Sequence, residues 1–375
     1  MDIARLPFDA DAMLAGLRPW VECESPTFDA AAVNRMMDLA AADLAGLGAR
    51  VTRIPGAMGY GDCVLADLDP DRPEPGILIL GHLDTVHPVG TLAMLPFRRA
   101  GGLCYGPGIC DMKGGNFLAL EALRVLMGAG IRTPLPVRVL LTSDEEVGSP
   151  STRDLIEATA REAKIVLVPE PGGVGGETTS GRYAIARFEV ETIGRPSHAG
   201  ARLAEGRSAV RAMARRILEI EDMTSADCTF SVGVVHAGIW VNCVPSHARA
   251  EVLSMAKRQA DLDRGVAALL ALSDASGEVE TRVCRTVTRP VWEPSEATLA
   301  LFERARALAA TIGVTLTHRS AGGGSDGNFT GALGVPTLDG LGVEGDKFHT
   351  LEEHIVVETL ASRGRIMAGL LATSG

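Results

Sequence analysis

Three apolar segments of the sequence end in acidic or imidazole side chains. The segments cover residues 76–80, 137–142 and 165–168, and their lengths and compositions are typical of buried strands. The side chains that follow them are His82, Asp84, Glu145, Glu146 and Glu170. Because an open α/β sheet binds ligands beyond the carboxyl ends of its strands, we expect these groups to meet in one crevice. Such a cluster can bind cations and move protons, which is the chemistry of a metal-dependent hydrolase.

The spacing within this cluster indicates separate roles for its members. His82 would bind a metal ion through one ring nitrogen, while Asp84, two residues later, would hold the N–H of the other nitrogen. Glu145 and Glu146 are adjacent and therefore point in different directions. One of them can bind metal while the other transfers protons.

Two further residues complete the predicted ligand set. Asp111 follows a Gly106-Pro107-Gly108 turn and precedes a predicted helix, where its carboxylate can be held rigidly enough to bridge two cations. His349 supplies a second imidazole late in the sequence. A ligand set of nitrogen and oxygen atoms without sulfur suits zinc, cobalt or manganese, with zinc as the default.

Composition and charge argue against several classes of protein. The 375 residues carry a formal net charge of -11, so a basic face for nucleic acid is not expected. No apolar stretch reaches transmembrane length, and the first residues do not resemble a secretory signal. The seven cysteines are dispersed without a CxxC pair, as is typical of reduced thiols. We expect a cytoplasmic protein with neither nucleic acid nor membrane as a partner.

The order of strand and helix patterns predicts two domains. The patterns alternate up to about residue 183, which favours a doubly wound α/β domain with helices on both faces of its sheet. Residues 184–288 instead follow a βαββαβ order, and their first strand alternates between apolar and polar residues. We predict a mixed-sheet catalytic domain of residues 1–183 plus 289–375. The inserted domain, residues 184–288, would be a ferredoxin-like α+β domain.

The motifs and their order resemble the M20 metallopeptidases, and among them the glutamate carboxypeptidases of the carboxypeptidase G2 type. The resemblance extends over essentially the whole chain. The matching site motifs are His82-x-Asp84, Gly108-x-x-Asp111-Met112-Lys113-Gly114, Asp144-Glu145-Glu146-x-Gly148-Ser149, Glu170-Pro171 and Gly345-x-x-x-His349. The other matching motifs are Thr179-Ser180-Gly181, Gly194-x-x-Ser197-His198-Ala199-Gly200, Asn242-x-x-Pro245 and Gly322-Gly323-Gly324-Ser325-Asp326.

The resemblance implies two zinc ions as cofactors, bridged by Asp111. One ion would also bind His82 and Glu170, and the other would bind Glu146 and His349. Cobalt or manganese could replace zinc, since nitrogen and oxygen ligands accept several divalent ions.

Roles in catalysis follow from the same resemblance. Glu145 matches the general base that activates water for attack on an amide, and Asp84 belongs to the catalytic residues beside it. The inserted domain would serve as lid and homodimer interface. His198 would reach the active site of the partner subunit and help to stabilise the oxyanion. The residues expected to contact substrate are Asn242, Arg289, Ser180 and Gly324.

One departure from the family concerns the substrate. A strand after the Asn-x-x-Pro motif usually carries Asp-x-Arg, whereas Leu253 and Met255 occupy the corresponding positions. An arginine fork is the natural ligand of a substrate carboxylate, so its loss weakens the case for a glutamate-specific enzyme. Arg289 remains as a carboxylate clamp, with Arg182 as a second candidate. We expect hydrolysis of an N-acyl amino acid or short peptide with a free carboxylate.

Two alternatives stay open. An N-acyl amino acid deacylase, or an amidohydrolase for a xenobiotic or aromatic amide, would use the same metals and base with a different pocket. A degenerate member that only dimerises or binds a ligand would have lost metal ligands, yet every position of the set is filled. The remaining histidines are expected to be surface or packing residues, namely His87, His236, His247, His318 and His354.

Overall fold

The computed structural model describes residues 1–173 and 175–375. They divide into two compact units: Met1–Gly181, Glu293–Ala321 and Ser325–Gly375 form the first, and Arg182–Trp292 with Gly322–Gly324 form the second. The helices are α1 Ala10–Glu22, α2 Ala30–Gly46, α3 Gly114–Gly128, α4 Arg153–Arg161, α5 Ala209–Glu221, α6 Gln259–Leu270, α7 Glu296–Ala310, α8 Gly327–Ala332 and α9 Leu360–Thr373. The strands are β1 Arg50–Ile54, β2 Cys63–Asp67, β3 Gly76–His82, β4 Arg98–Ala100, β5 Leu103–Tyr105, β6 Val137–Thr142, β7 Ala163–Leu167, β8 Glu177–Arg182, β9 Ala184–Ile193, β10 Cys228–Ala237, β11 His247–Ala256, β12 Glu280–Arg289, β13 Thr317–Ala321, β14 Thr337–Leu338, β15 Gly345–Asp346 and β16 His354–Val356.

The first unit is built on a six-stranded sheet in the order β1-β2-β6-β3-β7-β14. The last four of these strands run parallel; β2 pairs antiparallel with β6, and β1 pairs antiparallel with β2. Ile77 and Ile79 of β3 belong to one apolar core, whereas Leu78 and Leu80 pack with Ile156 of α4 in another. Burial on both faces explains why this strand is a continuous apolar run. The predicted mixed α/β fold is confirmed.

A second sheet of the first unit, in the order β15-β16-β5-β4, joins two distant parts of the chain. His354 of β16 pairs with Tyr105 of β5 and also with Asp346 of β15. This pairing places the chain on either side of His349 next to the loop that leads to Asp111. A third sheet consists of β8 and β13.

Aspartate side chains cap the N-termini of the first two helices, α1 and α2. The side chains of Asp9 and Asp29 accept hydrogen bonds from the N–H groups of Ala12 and Ala32, at 2.8 and 2.9 Å. Each satisfies a backbone donor that the first turn of a helix leaves unpaired. Gly48, with φ of +80°, follows α2 in the left-handed conformation that ends many helices.

The second unit has its own antiparallel sheet, in the order β10-β11-β9-β12. Its elements follow one another as β9, α5, β10, β11, α6 and β12. In β9, buried Ala186, Phe188 and Val190 alternate with more exposed residues. They share an apolar core with Met213 of α5 and Leu262 of α6. A sheet with one buried face accounts for the alternating sequence pattern.

All seven cysteines are free thiols. Cys104 lies in the core of the first unit, where burial raises the pKa of its thiol to about 11. Among the residues that the structure describes, none of the helices combines the length and apolar character required to cross a membrane.

Helix α3 packs closely against the segment that follows β7, and this packing predicts the effect of replacing Gly115. A Cβ atom added to Gly115 would lie 1.8 Å from the carbonyl oxygen of Pro169 and 3.2 Å from Cα of Gly342. Both neighbours are backbone atoms, so we expect Gly115→Ala to lower the free energy of unfolding by about 1–3 kcal/mol through overpacking. Gly128→Ala in the same helix is the control, since its Cβ would meet nothing within 4 Å. Denaturant unfolding measures both variants, and equal stabilities would contradict the predicted clash.

Candidate metal centre

His82 lies at the end of β3 and is almost fully buried. Its Nδ1 is 3.0 Å from the main-chain oxygen of Asp84 and 3.4 Å from the Oδ1 atom of that residue. Because a carbonyl oxygen can only accept, the proton resides on Nδ1 and leaves the lone pair of Nε2 for a ligand. The expected partnership with Asp84 exists, but its main-chain oxygen is the nearer acceptor. The nitrogen Nε2 faces Asp111 and Glu170, at 3.3 and 3.7 Å.

The carboxylate of Asp84 makes further contacts beyond the one with His82 that its spacing predicts. It accepts hydrogen bonds from Thr27 Oγ1 at 2.8 Å and from the N–H groups of Glu145 and Glu146 at 3.2 and 3.3 Å. Asp84 is completely buried. It therefore fixes the backbone of the turn that carries the two glutamates.

Asp111 stands between the two histidines. Its Oδ1 atom faces His82 Nε2 at 3.3 Å, and its Oδ2 atom lies 3.1 Å from His349 Nε2. Each carboxylate oxygen is thus directed to a different imidazole, which is the arrangement required of a bridging ligand. The residue lies in the segment Ile109–Lys113, where its φ of -115° and ψ of 99° are not helical, and the peptide bond to Met112 is cis.

The two glutamates after β6 point to different imidazoles. Glu146 Oε2 lies 3.2 Å from His349 Nε2, and Glu145 Oε2 lies 3.8 Å from His82 Nε2. Their donor atoms fall into two groups close enough to hold metal ions: His82 with Glu145 and Glu170, and His82 with Asp111 and Glu146. The division of the two glutamates into one metal ligand and one proton-transfer group stays a prediction, since each glutamate falls in one of these groups.

His349 differs from the other members of the cluster in conformation and exposure. Its φ of +66° places it in the left-handed region, and nearly half of its side chain is exposed. A residue with a Cβ atom occupies this region at a cost in energy, and such strain concentrates at functional sites. The contacts of His349 with Asp111 and Glu146 stabilise this conformation.

Electrostatics supports a cation among these side chains. Burial, together with the charge of Asp111, raises the pKa of Glu146 to about 8 and that of Glu170 well above its usual range. Burial opposes ionisation of Asp111, but the hydrogen bond from His349 and the adjacent His82 imidazole outweigh it and lower the pKa of Asp111. His82 Nε2 and Glu146 Oε1 are buried without a hydrogen-bond partner. Buried nitrogen and oxygen atoms that lack a hydrogen-bond partner and lie beside several carboxylates are suited to bind a divalent metal ion.

Residues 78–373 match the profile of peptidase family M20/M25/M40. The chain belongs to this family. It is 32% identical over 373 residues to carboxypeptidase G2 from Pseudomonas sp. (strain RS-16), which covers 97% of this chain and 89% of that protein. It is 27% identical over 361 residues to succinyl-diaminopimelate desuccinylase from Gluconacetobacter diazotrophicus, covering 88% and 89% of the two chains.

A solved structure agrees with the fold. A tripeptidase from Staphylococcus aureus superposes with a TM-score of 0.78 at 20% identity, covering 97% of this chain and 98% of that chain. The resemblance to M20 metallopeptidases that the motifs indicated is therefore confirmed, and so is the expected hydrolytic enzyme.

The remaining predicted site residues of this M20 protein are one residue of the first unit and four residues of the second unit. Ser180 is buried in β8 of the first unit, with Oγ 2.6 Å from His318 Nδ1. His198, Asn242, Arg289 and Gly324 belong to the second unit. Within that unit, a Cβ atom on Gly324 would lie 2.8 Å from Cδ of Arg289, which is buried.

Two buried residues next to the M20 metal centre have no predicted role. Glu353 is fully buried and lies 2.6 Å from His87 Nε2 through its Oε2 atom. The sequence around Glu353 reads as a polar turn, and His87 was expected to be a surface or packing residue. The spacing of Glu353 four residues after His349 is the one local signal that could have marked it.

Proposed function

We propose that this protein is a dinuclear zinc-dependent hydrolase that cleaves the amide bond of an N-acyl amino acid or short peptide with a free carboxylate. The observation that carries the proposal is the orientation of Asp111, whose two oxygens face different imidazoles at 3.3 and 3.1 Å. The names of the two curated relatives, a carboxypeptidase and a desuccinylase, support amide hydrolysis.

We assign the ligand atoms to two sets that share Asp111. His82 and Glu170 would complete one metal site, and Glu146 and His349 the other. Bound there, divalent cations lower the pKa of a water molecule and polarise the carbonyl of the scissile amide. Zinc suits these nitrogen and oxygen donors, and cobalt or manganese would bind to them as well.

Glu145 is assigned as the general base. Its N–H donates to Asp84, and its Oε2 atom lies 3.8 Å from His82 Nε2, so the carboxylate faces the cluster. In the proposed reaction Glu145 accepts a proton from water as the water oxygen attacks the carbonyl carbon. It then donates this proton to the amide nitrogen as the C–N bond breaks, which releases an amine and a carboxylate.

His198 is assigned as a hydrogen-bond donor to the oxyanion. Its Nδ1 atom accepts the N–H groups of Gly200 and Ala201 at 3.2 and 3.0 Å. A neutral imidazole that accepts through Nδ1 carries its proton on Nε2, which is then available to donate. The exposure of the side chain agrees with a role across a subunit interface. We propose residues 184–288 as the lid and dimerisation domain of a cytoplasmic homodimer, with residues 1–183 and 289–375 as the catalytic domain.

Substrate recognition is assigned to Arg289 and Asn242, with Ser180 and Gly324 lining the site. Arg289 is a buried cation of the second unit that could pair with a substrate carboxylate, and Gly324 permits its close packing. Arg182 donates to the carbonyl oxygens of Gly323 and Gly324, at 2.8 and 3.3 Å. That engagement favours a structural role for Arg182.

A second candidate function is hydrolysis of an apolar or aromatic amide. Phe28 is 81% exposed, and its ring lies 6.3 Å from that of Tyr60. Hydrogen bonds connect both loops to the strand ends that carry the metal centre. Thr27, next to Phe28, donates to Asp84 after β3, and Ser143 after β6 donates to the carbonyl of Gly61, next to Tyr60, at 2.6 Å. Exposed rings anchored beside the catalytic residues favour an apolar acyl group.

Replacing Glu145 tests the assignment of the base. We expect Glu145→Ala to lower kcat by roughly 10²–10⁴-fold while two equivalents of zinc remain bound, because the side chain moves protons rather than metal. Glu146→Ala is the comparison variant and should lose metal together with activity. Metal content by atomic emission and steady-state kinetics measure both. Loss of metal from Glu145→Ala would make Glu145 a ligand of His82's metal ion instead.

Mixed dimers test the role of His198. If His198 acts in the partner's site, combining Glu145→Ala and His198→Ala subunits creates hybrid dimers with one complete site, and activity should recover to roughly a quarter of the wild-type value. The separate variants provide the baseline. Activity that stays at this baseline after subunit exchange is verified would place His198 in its own subunit's site.

Removing the guanidinium of Arg289 tests substrate recognition. We expect Arg289→Ala to raise KM for N-acyl amino acids by roughly 10–100-fold, as expected for the loss of a charge-assisted hydrogen bond. The exposed Arg202 supplies the control, Arg202→Ala.

Substrates that differ only in a free or amidated carboxylate separate the two candidate functions. Equal turnover of both forms by the wild-type enzyme would favour the apolar-amide function.

A further inference from the structure

We propose that Glu353 and His87 form a positioning pair that holds the Asp111 carboxylate between the two metal sites. The inference rests on the metal ligands assigned under the proposed function. It gives a purpose to two buried ionisable side chains that the proposed reaction does not use.

Glu353 contacts the backbone of the loop that carries Asp111. Its Oε1 atom accepts the N–H groups of Cys110 and Asp111, at 2.8 and 3.1 Å. Its Oε2 atom accepts the N–H of Gly108 at 3.0 Å. One buried carboxylate therefore satisfies three backbone donors of the Asp111 loop, including the N–H of the bridging ligand itself.

His87 completes the acceptor capacity of Glu353. An ionised carboxylate only accepts hydrogen bonds, so His87 donates through Nε2 to Oε2 at 2.6 Å. With this contact the two oxygens of Glu353 accept four hydrogen bonds in all. Four acceptor positions are about what a carboxylate provides, so no lone pair is left for a metal ion. Glu353 is a support for the metal site rather than a further ligand.

The pair joins three of the chain segments that supply the proposed metal ligands. His87 lies five residues after His82, and Glu353 lies four residues after His349. The third segment carries Asp111, whose Oδ1 and Oδ2 atoms face those two histidines. A shift of the Asp111 backbone would lengthen one of these contacts as it shortened the other. The pair thereby controls the position of Asp111, the ligand that both metal ions would share.

Neutral or truncated variants should weaken metal binding without removing any ligand. In Glu353→Gln the amide group replaces an acceptor by a donor that faces the N–H groups of the loop. His87→Leu removes the donor, whereas His87→Gln keeps one. Outer-shell partners of metal ligands typically change metal affinity by about 10–100-fold, and we expect losses of this size for Glu353→Gln and His87→Leu. His87→Gln should lie close to the wild type.

Stability must be separated from positioning. Asp43 is a carboxylate of the first unit that accepts the indole N–H of Trp20 at 2.7 Å, away from the metal ligands. Asp43→Asn should lower the Tm but leave cobalt affinity unchanged. Calorimetric titration of the metal-stripped proteins with Co²⁺, at a temperature where circular dichroism shows every variant folded, gives the dissociation constants. The visible absorption of bound cobalt reports the ligand geometry.

The outcomes distinguish this inference from the function on which it rests. Weakened cobalt binding in Glu353→Gln and His87→Leu, with recovery in His87→Gln, supports the positioning pair. Wild-type affinity in both disruptive variants overturns it while the metal centre stands. If Glu353→Gln does not fold, His87→Leu decides alone. A wild-type protein that binds fewer than two equivalents of cobalt would instead refute the dinuclear site.

Discussion

Repulsion among buried carboxylates around Asp111 is the constraint on which the rest of the centre depends. Burial of a charge is costly unless hydrogen bonds or an opposite charge offset it. The acids of the first unit meet this requirement in two ways. Asp84 and Glu353 are surrounded by backbone N–H donors, whereas Glu146 has a buried oxygen without a partner, and its pKa is raised to about 8. The protein itself satisfies the first kind of carboxylate, and the second kind suits a bound cation.

The sheet makes this concentration of charge attainable by bringing backbone segments into close approach. Glycines stand where helix α3 meets the strand ends: a Cβ atom on Gly81 would lie 2.0 Å from Asn116 Oδ1, and one on Gly342 would lie 2.2 Å from the oxygen of Pro169. Asn116 in turn donates to the main-chain oxygen of His82 at 2.6 Å. The ligands are therefore fixed through main-chain contacts of the strand ends, which move little when side chains elsewhere change.

The sequence predicted those features of the site that depend on local patterns. Apolar runs locate β3, β6 and β7, and the residues that follow them supply His82, Glu145 and Glu170. Local patterns carry less information about partners that are distant along the chain. The bond from Asp111 to Glu353 joins residues 242 positions apart, and the spacing of Glu353 after His349 does not identify Asp111 as its partner. Strand β1 carries no such local pattern, since its residues are at least partly exposed and it lacks an apolar run.

Reaction and specificity draw on different parts of the molecule. The donors and the proposed base occupy the first unit, where Asp84 holds the turn of Glu145 and Glu146 by two backbone hydrogen bonds. The residues proposed to read the substrate carboxylate lie on the second unit, whose sheet carries Leu253 and Met255 on β11. Side chains on this strand can change without disturbing the hydrogen bonds that fix the base. The arginine that the resemblance predicts can therefore be missing from this strand while the metal centre of the first unit stays intact.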